Sequence, residues 1–147
     1  MVKLRLRGNG LRGTLPESMG LLGGLEELVL AENSLTGTLP PTLTNLTAMR
    51  KVYLHYNGLS GAVPSLAGMQ QLHFLHLGGQ DGGGLTGGLG WLGELRALEE
   101  VRLLIACVVG SIKSLTAPRQ VLLWNNGLEG RLRRGPSVIP PPPFSFI

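Results

Sequence analysis

The sequence predicts a solenoid, a fold in which one short unit of chain is stacked several times. The first observation is that Leu and Gly supply 31 and 23 of the 147 residues, which is far from an ordinary globular mixture. The second is that 43% of the residues are hydrophobic but only 5% are aromatic, so the predicted core is aliphatic. The third is that Leu-x-Leu pairs recur at nearly constant spacing, which is typical of repeat architectures.

The strands of the solenoid are predicted from these leucine pairs. Alternation of Leu with polar residues indicates a short strand with one buried face, and a single unit is too small to bury that face without stacking. Counted on the second Leu of each pair, successive units are 24, 24, 23, 26 and 20 residues apart. The anchors are Leu6, Leu30, Leu54, Leu77, Leu103 and Leu123. About six repeats therefore account for nearly the whole chain.

The unit from Leu25 to Ala48 is the most regular and reads LEELVLAENSLTGTLPPTLTNLTA. Its pattern of Leu, Asn, Gly and Leu-Pro returns in the units on either side. These positions resemble the plant-type leucine-rich-repeat family, LxxLxLxxNxLxGxIPxxLxxL, familiar from receptor-like kinases and polygalacturonase inhibitors. The resemblance covers residues 1 to about 132. It implies a right-handed, curved α/β-type solenoid, with short parallel strands on the concave face and 3-10 or short helices and loops on the convex face.

The turn after each strand carries an Asn whose amide can satisfy backbone groups, and the resemblance implies a ladder of these side chains. The predicted ladder consists of Asn9, Asn33, Asn57 and Asn126. Gln80 replaces the Asn in the fourth unit, where Asp81 to Gly84 form an irregular insertion. Ala106 replaces the Asn in the fifth unit, so the ladder is expected to break there.

The two ends of the chain differ from the repeat. Residues 1–134 are predicted to form the solenoid and residues 135–147 a proline-rich, disordered tail, in which Pro140 to Pro143 are extended. Neither end carries the polar unit that normally covers the last leucine layer of a solenoid. This favours a fragment or a degenerate member of a longer repeat protein, and it predicts end-to-end self-association.

The charge pattern and the apolar runs exclude two classes of partner. The formal charge of +4 is split between the two ends of the chain rather than arranged as one basic stripe, so nucleic-acid binding is not expected. The longest apolar run, Val101 to Val109, is interrupted by Arg102 and falls short of the roughly 18 residues of a membrane span. Lys3, Arg5 and Arg7 alternate with apolar residues as in a strand, so no signal peptide is predicted. The compartment stays open, with an extracellular or cell-surface location if the chain belongs to a receptor-like protein.

Three short motifs have structural explanations. Gly8-x-Gly10-x-x-Gly13 has the spacing of a dinucleotide-binding turn, but Gly13 occupies the glycine position of the repeat. Cys107 is the only cysteine, so no internal disulfide can form. Asn45 begins an Asn-x-Thr triplet, which is an N-glycosylation acceptor if the parent protein is secreted.

Histidines and paired carboxylates give no catalytic or metal site. His73 and His76 face opposite sides of a strand, whereas His55 and His76 can approach each other on neighbouring strands, where a third ligand is missing. The pairs Glu26-Glu27 and Glu99-Glu100 enter their strands at polar positions and are expected to lie on solvated faces. No cofactor and no metal are predicted.

The outward positions of the strands have no role in the core and form the candidate binding face. Two rows are expected to cross the stacked strands: Arg5, Val29, Tyr53, His76, Arg102 and Leu122, then Arg7, Ala31, His55, Gly78, Leu104 and Trp124. Exposed aromatic, Arg and His residues are typical of protein-recognition hot spots, and packing on the strand surface is the alternative explanation. The predicted partner-binding residues are Arg5, Tyr53, His55, Tyr56, His76, Arg102 and Trp124.

The sequence thus favours a non-catalytic module that binds a protein or peptide on its concave face. The alternative is a fragment or degenerate piece of a larger leucine-rich-repeat receptor-like or signalling protein, without an independent function. An enzyme is the third hypothesis, and it lacks a convergent set of catalytic groups.

Overall fold

A computed structural model describes residues 2–81, 84–104 and 120–124, with Leu104 and residues 120–124 described by their backbone alone. Its main element is a six-stranded parallel sheet to which each unit contributes one strand. Side by side, the strands are β1 (Val2–Arg5), β3 (Leu25–Val29), β5 (Lys51–Tyr53), β8 (Phe74–His76), β10 (Glu100–Leu104) and β11 (Gln120–Trp124). The predicted solenoid of stacked parallel strands is confirmed.

Several sequence predictions fall on residues outside the described part of the chain. They are the break in the ladder at Ala106, the Asn126 rung, the thiol of Cys107 and the tail at 135–147. The side chain of Trp124 belongs with them, because only its backbone is described.

The strand register aligns the leucine pairs of successive units. Leu28 lies beside Leu4 on one side and Val52 on the other. Leu75 lies beside Val52 and Val101 in the same way. Apart from Leu4 in the first unit, these side chains are at most 4% exposed. Because alternate residues of a strand point to opposite faces, the same register brings the intervening polar residues together on the outer face of the sheet.

The rest of each unit forms short strands and 3-10 turns. A three-stranded parallel sheet consists of β2 (Arg12–Thr14), β4 (Ser34–Gly37) and β6 (Gly58–Leu59), and a two-stranded one of β7 (Gly61–Ala62) and β9 (Leu85–Thr86). The 3-10 helices are Glu17–Leu21, Pro41–Asn45 and Gly90–Glu94. The third unit, which is one residue shorter than the second, has turns at this place.

The glycine of the repeat is required by both backbone conformation and packing. Gly13, Gly37 and Gly61 have φ angles of 90°, 78° and 79°, in the left-handed region that L side chains rarely adopt. A Cβ atom on Gly37 would lie 2.8 Å from Cγ2 of Thr14 in the preceding unit. This glycine therefore permits close stacking of the second unit on the first.

A ladder of amide side chains joins the turns that follow the strands. The Asn57 side chain donates from Nδ2 to the carbonyl oxygens of Leu30 and Leu54. Its Oδ1 accepts the N–H of Leu35, and the residue is only 2% exposed. Asn33 does the same one unit earlier, where its Oδ1 accepts the N–H groups of Asn9 and Leu11. Each rung thus satisfies polar backbone groups of two adjacent units.

Gln80 continues this ladder in the fourth unit. Its Oε1 accepts the N–H of Leu59 at 3.0 Å, and its Nε2 donates to the carbonyl oxygens of Leu54 and Leu77 at 2.9 Å each. The replacement of Asn by the longer amide therefore keeps both the donor and the acceptor of the rung.

Candidate functional site

Three rows of residues cross the six-stranded sheet at its outward positions. The structure places the first predicted row in register, so that Arg5, Val29, Tyr53, His76, Arg102 and Leu122 lie on successive strands. A further row, which was not predicted from the sequence, runs beside the first. It contains Lys3, Glu27, Lys51, Phe74, Glu100 and Gln120. The second predicted row follows the ends of the strands.

Four rings form a cluster at the centre of this face. The Tyr53 and His76 rings meet edge to face with centroids 4.6 Å apart, and the Tyr53 and His55 centroids are 6.1 Å apart. The His55 ring lies 5.4 Å from that of Tyr56 and 5.8 Å from that of His76. We call these four residues the ring cluster. Four of the seven predicted partner-binding residues therefore lie together.

Both histidines of the ring cluster are neutral at pH 7. Burial lowers the pKa of His76 from 6.5 to about 4, and this effect outweighs the attraction of Glu100, whose Oε1 lies 3.2 Å from Nε2 of the ring. Burial, followed by the positive charge of Arg7, lowers the pKa of His55. The Nδ1 atom of His55 is buried and has no hydrogen-bond partner among the described residues. A neutral imidazole offers one donor and one acceptor nitrogen, so this buried atom is a polar group that the described residues leave unsatisfied.

Arg5 and Arg102, the two predicted partner-binding arginines, are held by carboxylates. Arg5 donates to Oε2 of Glu27 from Nε at 2.7 Å and from Nη2 at 2.5 Å. Arg102 Nε lies 2.5 Å from Oε1 of Glu100. Both guanidinium side chains remain more than half exposed, at 59% and 53%. Arg5 is thus held by two hydrogen bonds and Arg102 by an ion pair, and both remain accessible.

Glu27 corrects the prediction that both acidic pairs lie on solvated faces. This residue is 3% exposed, because the side chains of Lys3, Arg5 and Lys51 cover its carboxylate. Burial acts to raise the pKa of Glu27, but the hydrogen bonds and charge of Arg5, together with Lys3, outweigh it and lower that pKa below its ordinary value. Glu100 is likewise only partly exposed, whereas Glu99 is exposed as predicted.

The prediction for Ala31 is also wrong, because the sequence pattern placed this residue among the outward positions that have no role in the core. Its side chain is completely buried. The neighbouring Arg7 and Glu32 form an exposed ion pair, in which Nη2 of Arg7 lies 2.6 Å from Oε1 of Glu32. Ala31 is thus not presented to a partner.

Tyr56 is held in an unusual backbone conformation. Its φ angle is 55°, and the equivalent residues of the other units, Gly8, Glu32 and Gly79, have φ angles of 66°, 57° and 64°. Two of the four units therefore have a glycine at this left-handed position. Glycine is favoured there because it has no Cβ atom and adopts a positive φ angle without steric cost. The Tyr56 ring packs over Gly79, where a Cβ atom would lie 2.4 Å from its Cδ1. The residue is nevertheless 62% exposed.

The remaining motifs show no convergent chemistry in the part of the chain that the structure describes. His73 lies apart from the ring cluster, and its Nδ1 is 2.6 Å from the carbonyl oxygen of Gln71. The Gly8 to Gly13 segment leads into the short strand β2 and not into a helix. Asn45 is exposed at the end of its 3-10 helix. Among the described residues, no three or more His, Cys, Asp or Glu side chains are grouped to hold a metal ion, and no helix has the length and apolarity to cross a bilayer.

Comparisons with known proteins agree with the repeat. The leucine-rich-repeat family model matches residues 24–46, and no curated protein matches the chain. The ectodomain of the Arabidopsis thaliana receptor kinase GASSHO1/SCHENGEN3, solved with Casparian strip integrity factor 2, has 24% identity and a TM-score of 0.70, covering 84% of this chain and 15% of that chain. At this identity the likeness shows the fold alone.

Two further receptor-kinase structures have slightly higher sequence identity to this chain. That of the Arabidopsis thaliana receptor kinase SOBIR1 has 26% identity and a TM-score of 0.66, covering 84% of this chain and 69% of that chain. The Arabidopsis receptor kinase HAESA, solved with the peptide hormone IDA and the co-receptor SERK1, has 26% identity and a TM-score of 0.61, covering 84% of this chain and 25% of that chain. The chain thus spans between 15% and 69% of the length of these three structures. The repeat, the stacked strands and these matches show a leucine-rich-repeat solenoid fold.

Proposed function

We propose that this chain is a non-catalytic module whose concave sheet face binds a protein or peptide through the ring cluster. The main observation behind the proposal is that Tyr56, an exposed aromatic residue, has a left-handed backbone conformation. Such a conformation costs a non-glycine residue roughly 1–2 kcal/mol. A bulky, exposed side chain retained at this cost is more readily explained by recognition than by folding.

The chemistry of the ring cluster fits the same role. Aromatic residues dominate binding energy at protein interfaces because they bury a large area with few rotatable bonds. Tyr53 and His76 support each other edge to face, so their orientation is set before a partner arrives. The surface therefore offers apolar ring area whose orientation is already set.

The similar structures support a peptide or protein as the partner. HAESA was solved with both a peptide hormone and a co-receptor. By this analogy, we place the chain in an extracellular or cell-surface receptor-like protein. The alternative is a piece of a larger leucine-rich-repeat protein with no function of its own, and it predicts that this face binds nothing specifically.

The proposal is tested by replacing Tyr56 with Gly. Peptides are selected from a random display library on the full chain, and their affinities are measured by calorimetry. We expect Tyr56→Gly to lower affinity by about tenfold or more, as for a hot spot, while thermal stability stays equal or rises because the backbone strain is relieved. Affinity loss without loss of stability separates recognition from folding.

The control is Leu21→Ala, which truncates an 83% exposed apolar side chain outside the six-stranded sheet. Its affinity should match that of the wild type. Unchanged affinity in both Tyr56→Gly and Tyr53→Ala would contradict the assignment of the ring cluster. A library that yields no peptide dependent on this face would contradict the proposed function itself.

A further inference from the structure

Three cationic side chains converge on one carboxylate at the N-terminal side of the sheet face. Lys3 Nζ lies 3.5 Å and Lys51 Nζ 3.8 Å from Oε1 of Glu27, and Arg5 holds Oε2. Glu27 can neutralise one positive charge, so three cations around one carboxylate leave an excess of two. The three cationic side chains are 34%, 59% and 40% exposed, whereas the Glu27 side chain is 4% exposed. We call Lys3, Arg5 and Lys51 the basic cluster.

Apolar surface adjoins the basic cluster on the same face. Lys51 Nζ lies 5.3 Å from the centre of the Phe74 ring, which is the next residue of its row. Val29 and Tyr53 lie beside each other in the adjacent row and are partly exposed. Neighbouring strands are about 4.8 Å apart, so a short extended segment could contact the cations and these side chains together.

We propose that the segment recognised by this face is acidic, with carboxylates that bind the basic cluster and apolar or aromatic side chains that pack on Tyr53 and the rest of the ring cluster. This inference rests on the proposed function and adds the chemistry of the partner. Carboxylates would complete the pairing that Glu27 alone leaves unsatisfied. Charge complementarity of this kind raises the rate of encounter and excludes basic competitors.

The distribution of charge favours an acidic peptide over a nucleic acid. Two other cations of this face are already paired, Arg7 at the end of the first strand with Glu32 and Arg102 on β10 with Glu100. A phosphate backbone crossing the strands would therefore meet carboxylates after the basic cluster. Nucleic-acid binding needs positive charge that continues along the backbone, whereas a short acidic segment needs only the local excess.

The experiment uses the same peptide selection, and the amino-acid composition of the selected peptides is determined by sequencing them. We expect the pool bound to the wild-type chain to be enriched in Asp and Glu over the starting library. Lys3→Gln/Lys51→Gln should lower the affinity of a selected acidic peptide by about fivefold or more at low salt, since each exposed charge pair makes a modest contribution to binding. Arg5 is kept so that Glu27 retains its closest partner. The loss should shrink as salt screens the pairs.

Arg12→Gln/Arg96→Gln is the matched control, because it removes the same charge from exposed residues outside the six-stranded sheet. It should bind the acidic peptide like the wild type. Selected peptides that lack acidic enrichment but depend on Tyr56 would overturn the acidic partner and leave the proposed function standing. A single-stranded oligonucleotide that binds more tightly than the peptides, and loses affinity in Lys3→Gln/Lys51→Gln, would overturn it in favour of nucleic acid.

Discussion

Glu27 illustrates how stacking changes the environment of a single residue. Within its own unit it occupies an outward strand position, which indicates a solvated side chain. The side chains that cover it come from the units before and after, and they are adjacent because the register pairs Lys3 with Glu27 and Glu27 with Lys51. An alignment of the repeats would have predicted this contact, because Lys3, Glu27 and Lys51 occupy equivalent positions in three successive units. The prediction was wrong because the residue was judged within one unit.

Replacing Glu27 with Gln should destabilise the fold at pH 7. The variant keeps the size of the side chain but loses charged hydrogen bonds to Arg5 and leaves three cations together. We expect a loss of about 1–2 kcal/mol in the free energy of unfolding, measured with urea. The folded-state pKa of Glu27 lies below its ordinary value of 4.5, so its contribution is complete above that pH and disappears as pH falls through the folded value. Wild type and variant should therefore converge in acid.

Glu99→Gln is the control for this prediction, because Glu99 belongs to the other acidic pair and is exposed. It should unfold like the wild type throughout the pH range. A Glu27→Gln variant as stable as the wild type at pH 7 would show that covering this carboxylate costs as much as its ion pairs return.

The Asn ladder is the element that the repeat pattern described best. Its positions are those that the resemblance to the leucine-rich-repeat pattern implies, at the turn that follows each strand. The pattern did not show that Gln80 would serve as a rung, since the consensus names Asn and the amide chemistry is shared by both residues. A residue can form a rung if its side chain supplies both a hydrogen-bond donor and an acceptor at this turn. Gln80 supplies both.

Asn57→Ala should be among the most destabilising single substitutions in the described part of the chain. It leaves the N–H of Leu35 and the carbonyls of Leu30 and Leu54 without the side chain that satisfies them. An unsatisfied buried polar group costs about 1–3 kcal/mol, so we expect a loss of roughly 3 kcal/mol or more in urea unfolding. Asn45→Ala, at an exposed position in a 3-10 helix, should change stability by less than about 0.5 kcal/mol. Similar losses in the two variants would contradict a structural role for the ladder.

At the scale of the whole molecule, a solenoid is stabilised by contacts between neighbouring units, so its two ends and its middle differ. The leucines of the second to fifth units are almost fully buried where the structure describes them, whereas Leu4, Leu6 and Leu11 of the first unit are only partly buried. The sequence could predict this difference in leucine burial, because the repeat shows which leucines are covered only by an adjacent unit. It could not predict which outward residues hold one another in place, since that depends on side-chain geometry between units.

The first unit is where we expect self-association. Val2, Leu21 and Leu22 are 54%, 83% and 46% exposed, and β1 occupies the edge of the sheet. Lys3, which has neighbours of like charge along β1, opposes the pairing of two such edges, as charged residues do on natural edge strands. We therefore expect light scattering to show a mass that rises with protein concentration and rises further as salt shortens the screening length from about 10 Å at 0.1 M to about 3 Å at 1 M. Leu21→Ser/Leu22→Ser should reduce this association without changing stability, because neither side chain is part of the core. A mass independent of salt, or equal in the variant and the wild type, would contradict association through this end.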